Sequence, residues 1–205
     1  MSEIVVNLVY EDDLSGAVLC KLLTRSQQDF VTGQMYCAHG FGHIKRSIKG
    51  FNNAAKGMPW LVLTDLDRCE CPPILIKDWL REEKHHNLLF RVAVRQVESW
   101  VLGCRAPFAK FLGVREDFIP SNVDEIADAK DFLIDLARKS PRRRLRLDIV
   151  PEEGSTAKVG PDYNGRLVHF VENLWDPNIA KDCSPSLLRT MEILDEFEPV
   201  FESPL

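Results

Sequence analysis

WLVLTDLDRCECPP, residues 60–73, runs apolar residues on both alternating faces straight into two carboxylates, Asp65 and Asp67. A strand that is apolar on both faces is one that helices cover above and below, as in a parallel sheet. The neighbouring segments repeat the theme. EIVVNLVY (3–10) is a β-branched run ending in EDDLSG, and AVLCKLL beyond it fits a helix. GFGHIKRSIKGFNNAAKGMP carries Ile44, Ile48, Phe51 and Ala55 at helical spacing, with Gly57 and Pro59 as stop signals. After residue 71, Pro72-Pro73 and the pattern Ile74, Leu75, Trp79, Leu80 predict a helix, and NLLFRVAV a further strand. The alternation reads βαβαβ, with residues 60–65 as its second strand and 87–94 as its third.

RQVESWVLGCRAPFAKFLG reads as helical, with Trp100 a core residue. From about residue 114 the chain is mostly helical. VDEIADAKDFLIDLARKS is an amphipathic helix with Ile126, Phe132, Leu133 and Leu136 inward, and VPEEGSTAKVGPDYNG is a loop by its Gly, Pro and Ser content. RLVHFVENLW and SPSLLRTMEILDEF read as closing helices. The expected fold class is α/β, a mainly parallel sheet flanked by helices over residues 1–115, with a helical C-terminal extension over 116–205 packed on it as one compact unit.

The 205 residues are 45% hydrophobic, enough for one substantial core. No apolar run approaches a membrane span and the N-terminus is acidic, so a soluble cytoplasmic protein without a membrane partner is expected. The six cysteines show no CxxC spacing and read as reduced thiols. A net charge of −5 excludes generic polyanion binding by bulk electrostatics. Nucleic acid would have to be met locally, and two basic patches are candidates: Lys45, Arg46, Lys49 and Lys56, and Arg142, Arg143, Arg144 and Arg146. Such runs are commonly solvated faces.

Binding sites of open parallel sheets collect beyond the carboxyl ends of the strands. There the sequence places Glu11, Asp12 and Asp13, then Asp65 and Asp67, then Glu98. Strand alternation would put Asp65 and Asp67 on one side if the extended backbone persists to Asp67. Carboxylates gathered without water repel by several kcal/mol, and a cation resolves the conflict. All-oxygen donors select Mg²⁺ or Mn²⁺, which recruit substrate phosphates. The plainer alternative is that the aspartates cap a following helix. Glu98 is either a site residue or a solvated one. Cys37, His39 and His43 could ligate a metal but lack an evident fourth partner, and His85-His86 reads as a solvated turn.

Glu11 at the first strand's end and Asp65-x-Asp67 at a later one resemble the TOPRIM domain of topoisomerases, primases and OLD-type nucleases, with Asp12 where that family commonly has glycine. GFNNAAKGMPWLVLTDLDRCECPP, FRVAVRQVESWVLG, STAKVGPDYNGRLVHFV and SPSLLRTMEIL are similar to small TOPRIM-like proteins encoded beside ABC or SMC-like ATPases in bacterial defence loci. The resemblance implies Glu11 in acid-base work, Asp65 and Asp67 holding Mg²⁺, and an ATPase partner. The resulting expectation is a metal-dependent nuclease or phosphodiester-transfer subunit for DNA or RNA. In it Glu11 or Glu98 positions the water, and Lys45, Lys49, Lys56 and Arg142, Arg143 and Arg144 meet phosphates. A non-catalytic binding or toxin-system subunit is the alternative, and a homodimer is left open. LTDLDRC is also similar to the nucleophile motif of haloacid-dehalogenase-like phosphatases, though here it stands off the first strand and with Cys69 two residues beyond the second aspartate.

Overall fold

The computed structural model describes residues 3–201. In chain order its regular elements are β1 (Ile4–Tyr10), α1 (Asp13–Arg25), β2 (Phe30–Cys37), α2 (Phe41–Ala54), β3 (Trp60–Asp65), α3 (Pro72–Trp79) and β4 (Leu88–Ala93). Helices follow: α4 (Val97–Gly103), α5 (Arg105–Leu112), α6 (Ala129–Arg138), α7 (Arg143–Ile149), α8 (Tyr163–Asn173), α9 (Pro177–Ala180) and α10 (Pro185–Asp195). The four strands form one sheet, in the order β2-β1-β3-β4, and every pairing is parallel. This is a Rossmann-like α/β arrangement.

Strand alternation divides the interior in two. Val6, Leu8, Leu61, Leu63, Leu89 and Ala93 face a large core shared with α1, α4, α5, α6, α8 and α10. Val9, Val62, Leu88, Phe90 and Val92 face a smaller one under α2 and α3. The large core takes in residues on both sides of position 115, from Ile4 to Phe197. Its two tryptophan N–H groups are paired: Trp100 Nε1 donates to Ser186 Oγ at 2.7 Å and Trp175 Nε1 to the Trp100 carbonyl at 3.0 Å. Trp100 is thus the core residue its helix pattern implied.

Three sequence expectations need correction. Phe30–Cys37 is a strand that the βαβαβ reading passed over, so residues 60–65 form the third strand and 88–93 the fourth. β2 is an edge strand whose side chains are nearly all exposed, so no apolar period marks it. Its pairing with β1 is broken by a register shift between Val6 and Leu8, where the Asn7 side chain accepts from Gln34 N at 2.7 Å. Second, the helical stretch from residue 95 to 113 is two helices broken at Cys104, and all of α4 is buried. Third, the amphipathic helix begins only at Ala129, because Asp128 caps it by accepting from Asp131 N; Val123–Glu125 is a separate 3₁₀ turn. Leu133 and Leu136 are buried as expected, whereas Ile126 and Phe132 are half-buried. His86 lies exposed in a turn, as the sequence implied, and there its Nε2 meets the Glu198 carbonyl at 2.8 Å and its ring stacks on Phe197.

α4 meets α9 so closely that a Cβ on Gly103 would lie 2.7 Å from the Ala180 carbonyl oxygen. Gly103→Ala should therefore cost about 1–3 kcal/mol in a urea titration. Gly50→Ala, on the open face of α2 where nothing lies within 4 Å, should stabilise by about 0.5–1 kcal/mol.

Candidate functional site

The sequence places acids at the tips of β1 and β3, and the structure brings them together. After Tyr10 the chain turns, and Asp12 caps α1 by accepting from Ser15 N at 2.9 Å and Ser15 Oγ at 2.8 Å. That cap fixes Glu11, whose Oε1 accepts from the Asp65 backbone N–H at 3.1 Å and from the Thr64 hydroxyl. The Asp65 Oδ1 in turn accepts from Val97 N at 2.9 Å, at the start of α4. Asp65 therefore does cap a helix, but α4 rather than the one that follows its strand. One residue on lies Glu98, 1% exposed. Its Oε1 accepts from the Tyr163 hydroxyl at 3.0 Å and pairs with Lys130 Nζ at 3.3 Å. Its Oε2 is buried with no hydrogen-bond partner. The view of Glu98 as a solvated carboxylate is overturned.

Asp67 sits differently from the expectation. β3 ends at Asp65, and Asp67 adopts φ 48°, a left-handed conformation that aspartate tolerates better than most residues. The side-sharing argued from strand alternation therefore fails. A turn held by Asp67 N donating to the Arg95 carbonyl at 2.9 Å presents an exposed Asp67 carboxylate instead. It still shares a cleft of about 400 Å³ with Asp65, Lys45 and Arg68.

The proton affinities follow from this crowding. Asp65 retains some surface, but its carboxyl is largely shut off from water. Burial, then the charges of Glu98 and Glu11, push its pKa well above the usual value. Glu11 is raised chiefly by burial, against the lowering effect of its two donors. Glu98 is raised by burial despite Lys130 and Tyr163. Burial pulls the Lys130 ammonium down, but Glu98, Asp12 and Asp65 more than reverse this and raise it overall. Burial and Glu98 hold the Tyr163 phenol protonated, as a donor.

Sequence reasoning missed Thr64, Lys130 and Tyr163. The one sequence signal at Lys130 is its place in the first turn of α6, where the dipole mildly disfavours a cation.

The basic candidates scatter. Lys45 lines the acid cleft but is paired with Asp78 at 2.7 Å, and Lys49 with Glu82 at 3.6 Å. Lys56 precedes β3 and so lies at the opposite end of the sheet from Asp65, beside Asn52, Glu83 and His85. Arg142, Arg143 and Arg144 stand at the start of α7, and none of them lines the cleft. Cys37 Sγ is 3.6 Å from His39 Nδ1, while His43 meets the Tyr36 hydroxyl at 3.2 Å. Among the described residues no three His, Cys, Asp or Glu side chains form a group that could hold an ion directly. No family model, curated protein or solved structure matches the chain.

Proposed function

We propose that this protein is a Mg²⁺- or Mn²⁺-dependent nuclease or phosphodiester-transfer subunit acting on DNA or RNA, working with an ATPase partner in bacterial anti-phage defence. One observation carries the chemistry. Carboxylates from three segments, Glu11, Asp65 and Glu98, meet at one sheet edge with raised proton affinities, and a buried Glu98 oxygen has no partner. Like charges left in that state favour a proton or a cation.

The donors are all oxygen, as a hard ion requires, but no three of them stand close enough to hold it directly, so Glu11, Asp65 and Asp67 would hold it partly through its waters. Once bound, Mg²⁺ polarises a phosphate oxygen and lowers the pKa of water. Among the described residues only Oε1 of Glu11 is engaged, so Oε2 is the atom to take a proton from an attacking water. Lys45, on the rim of the cleft, would exchange its exposed pairing with Asp78 for a backbone phosphate.

A different observation favours the non-catalytic reading. The Lys130 ammonium already offsets one of the buried charges at Glu98, as a site kept for binding alone would do. A titration separates the two. Mg²⁺ or Mn²⁺ should raise the melting temperature by mass action, and plasmid, single-stranded DNA or tRNA should be cleaved. Both effects should vanish in Asp65→Asn/Asp67→Asn. Metal stabilisation without cleavage, alone or with the ATPase encoded nearby, supports the binding subunit, and no metal response at all defeats both.

A further inference from the structure

A separate cavity of about 240 Å³ opens at the free edge of β4, beside the first turns of α3 and α10. Arg91 of β4 and Arg189 of α10 both line it. Arg91 is the one half-buried residue of a strand whose other five are buried. Its side chain makes a single hydrogen bond, from Nε to Thr190 Oγ1 at 3.4 Å. Among the described residues neither arginine has a carboxylate within ion-pair distance. Burial and then the Arg189 charge pull the Arg91 pKa below its usual value.

Two guanidiniums sharing a cavity without a counter-charge repel, and a buried charge is ordinarily compensated. The described residues supply no ion pair to either arginine. Asp124, at the start of α10, accepts from Ser184 Oγ at 2.6 Å and Ser186 N at 2.7 Å and forms no ion pair with either arginine. Pro72 and Pro73 have no N–H to offer, so α3 contributes only its dipole. Ser186 Oγ accepts from Trp100 Nε1 at 2.7 Å, and its hydrogen is directed to Ser184 Oγ at 3.4 Å, because Ser184 donates its own to Asp124. What remains is two forked cations and the first turn of α3 around a space worth about eight waters at ~30 Å³ each.

We propose that this pocket binds a phosphate group, gripped by Arg91 and Arg189. Guanidinium forks match phosphate oxygens in pairs. A phosphate fills only part of the space, so the group that bears it enters at least in part. The phosphate belongs either to a small phosphorylated molecule or to the 5′ end of a nucleic acid strand. None of the acids at the β1 and β3 tips lines the pocket, and the proposal does not depend on metal chemistry there.

Calorimetric titration of the full chain with sodium phosphate, against sodium chloride at matched ionic strength and without divalent metal, should give a saturable isotherm with one site. Arg189→Gln alters an exposed side chain and should leave the fold intact while weakening phosphate about tenfold or more. Arg91→Gln should do the same, with an unchanged or higher melting temperature because an uncompensated charge is gone. No saturable phosphate binding, or equal binding in wild type and Arg189→Gln, overturns the proposal. A 5′-phosphorylated oligonucleotide that binds more tightly than its 5′-hydroxyl twin, with the difference lost in Arg189→Gln, assigns the phosphate to nucleic acid. Equal binding of the twins, alongside the phosphate isotherm, assigns it to a small molecule.

Discussion

Asp65→Asn should lower metal-dependent cleavage on the order of 10³-fold and, in metal-free buffer near neutral pH, raise the melting temperature by about 2–6 °C. The pairing of the two effects is the diagnostic. Asparagine keeps the Oδ1 that accepts from Val97 N, so the α4 cap survives while a charge is removed from between Glu11 and Glu98. The pH dependence follows from the same crowding. A carboxyl whose pKa is raised on folding stabilises the folded state at low pH. That contribution is lost as pH climbs from the ordinary carboxylate value, about 4, through the raised one. Asp65, Glu11 and Glu98 are all raised, so metal-free wild type should lose melting temperature across this window more steeply than Asp65→Asn. Melting curves from pH 4 to pH 8 check it. An asparagine variant that melts below wild type at pH 7.5 would show that the acids are not crowded in solution.

The second large effect falls on stability. Lys130→Met removes the ammonium from Glu98, a side chain 1% exposed with one oxygen already unpartnered, and should cost about 3 kcal/mol in urea denaturation at pH 7. The figure sits at the low end for a broken buried pair because the Lys130 side chain is itself 35% exposed. Adding Glu98→Gln should return most of the loss, since no buried charge then remains to be compensated. As pH falls from 7 toward the ordinary carboxylate value, about 4, the cost should already shrink, because Glu98, whose proton affinity is raised, becomes protonated within that range. A Lys130→Met penalty that persists unchanged in the double variant would mean the lysine stabilises by packing against Tyr163 rather than by charge.

What could be read in the chain and what could not divides along burial. β3 is legible because a strand covered on both faces must be apolar throughout, and Glu11, Asp65 and Asp67 stand out against that background. β2 is not legible, because solvent along an edge strand removes the constraint that makes a pattern, and Gly33 and Gln34 interrupt what remains. The turn that lifts Asp67 off the strand axis is held by Arg95, whose Nη1 donates to the Asp67 and Cys69 carbonyls from the far end of β4. No local rule announces that contact. Lys130 and Tyr163 are likewise brought to Glu98 by packing across the large core, 32 and 65 residues along the chain.

That separation has a consequence for biosynthesis. A nascent chain whose first 115 residues have left the ribosome carries all four strands and every acid of the cluster, yet neither Lys130 nor Tyr163. Its α4 has no α6 or α8 to shelter Glu98, which water would hydrate instead. Domains tend to fold from the N-terminus during translation, so the sheet can form early while the acids become electrostatically coupled only when the later helices dock. The sheltering of Glu98 at the strand tips is thereby completed only when residues 130 and 163 have been made and docked, long after the acids themselves.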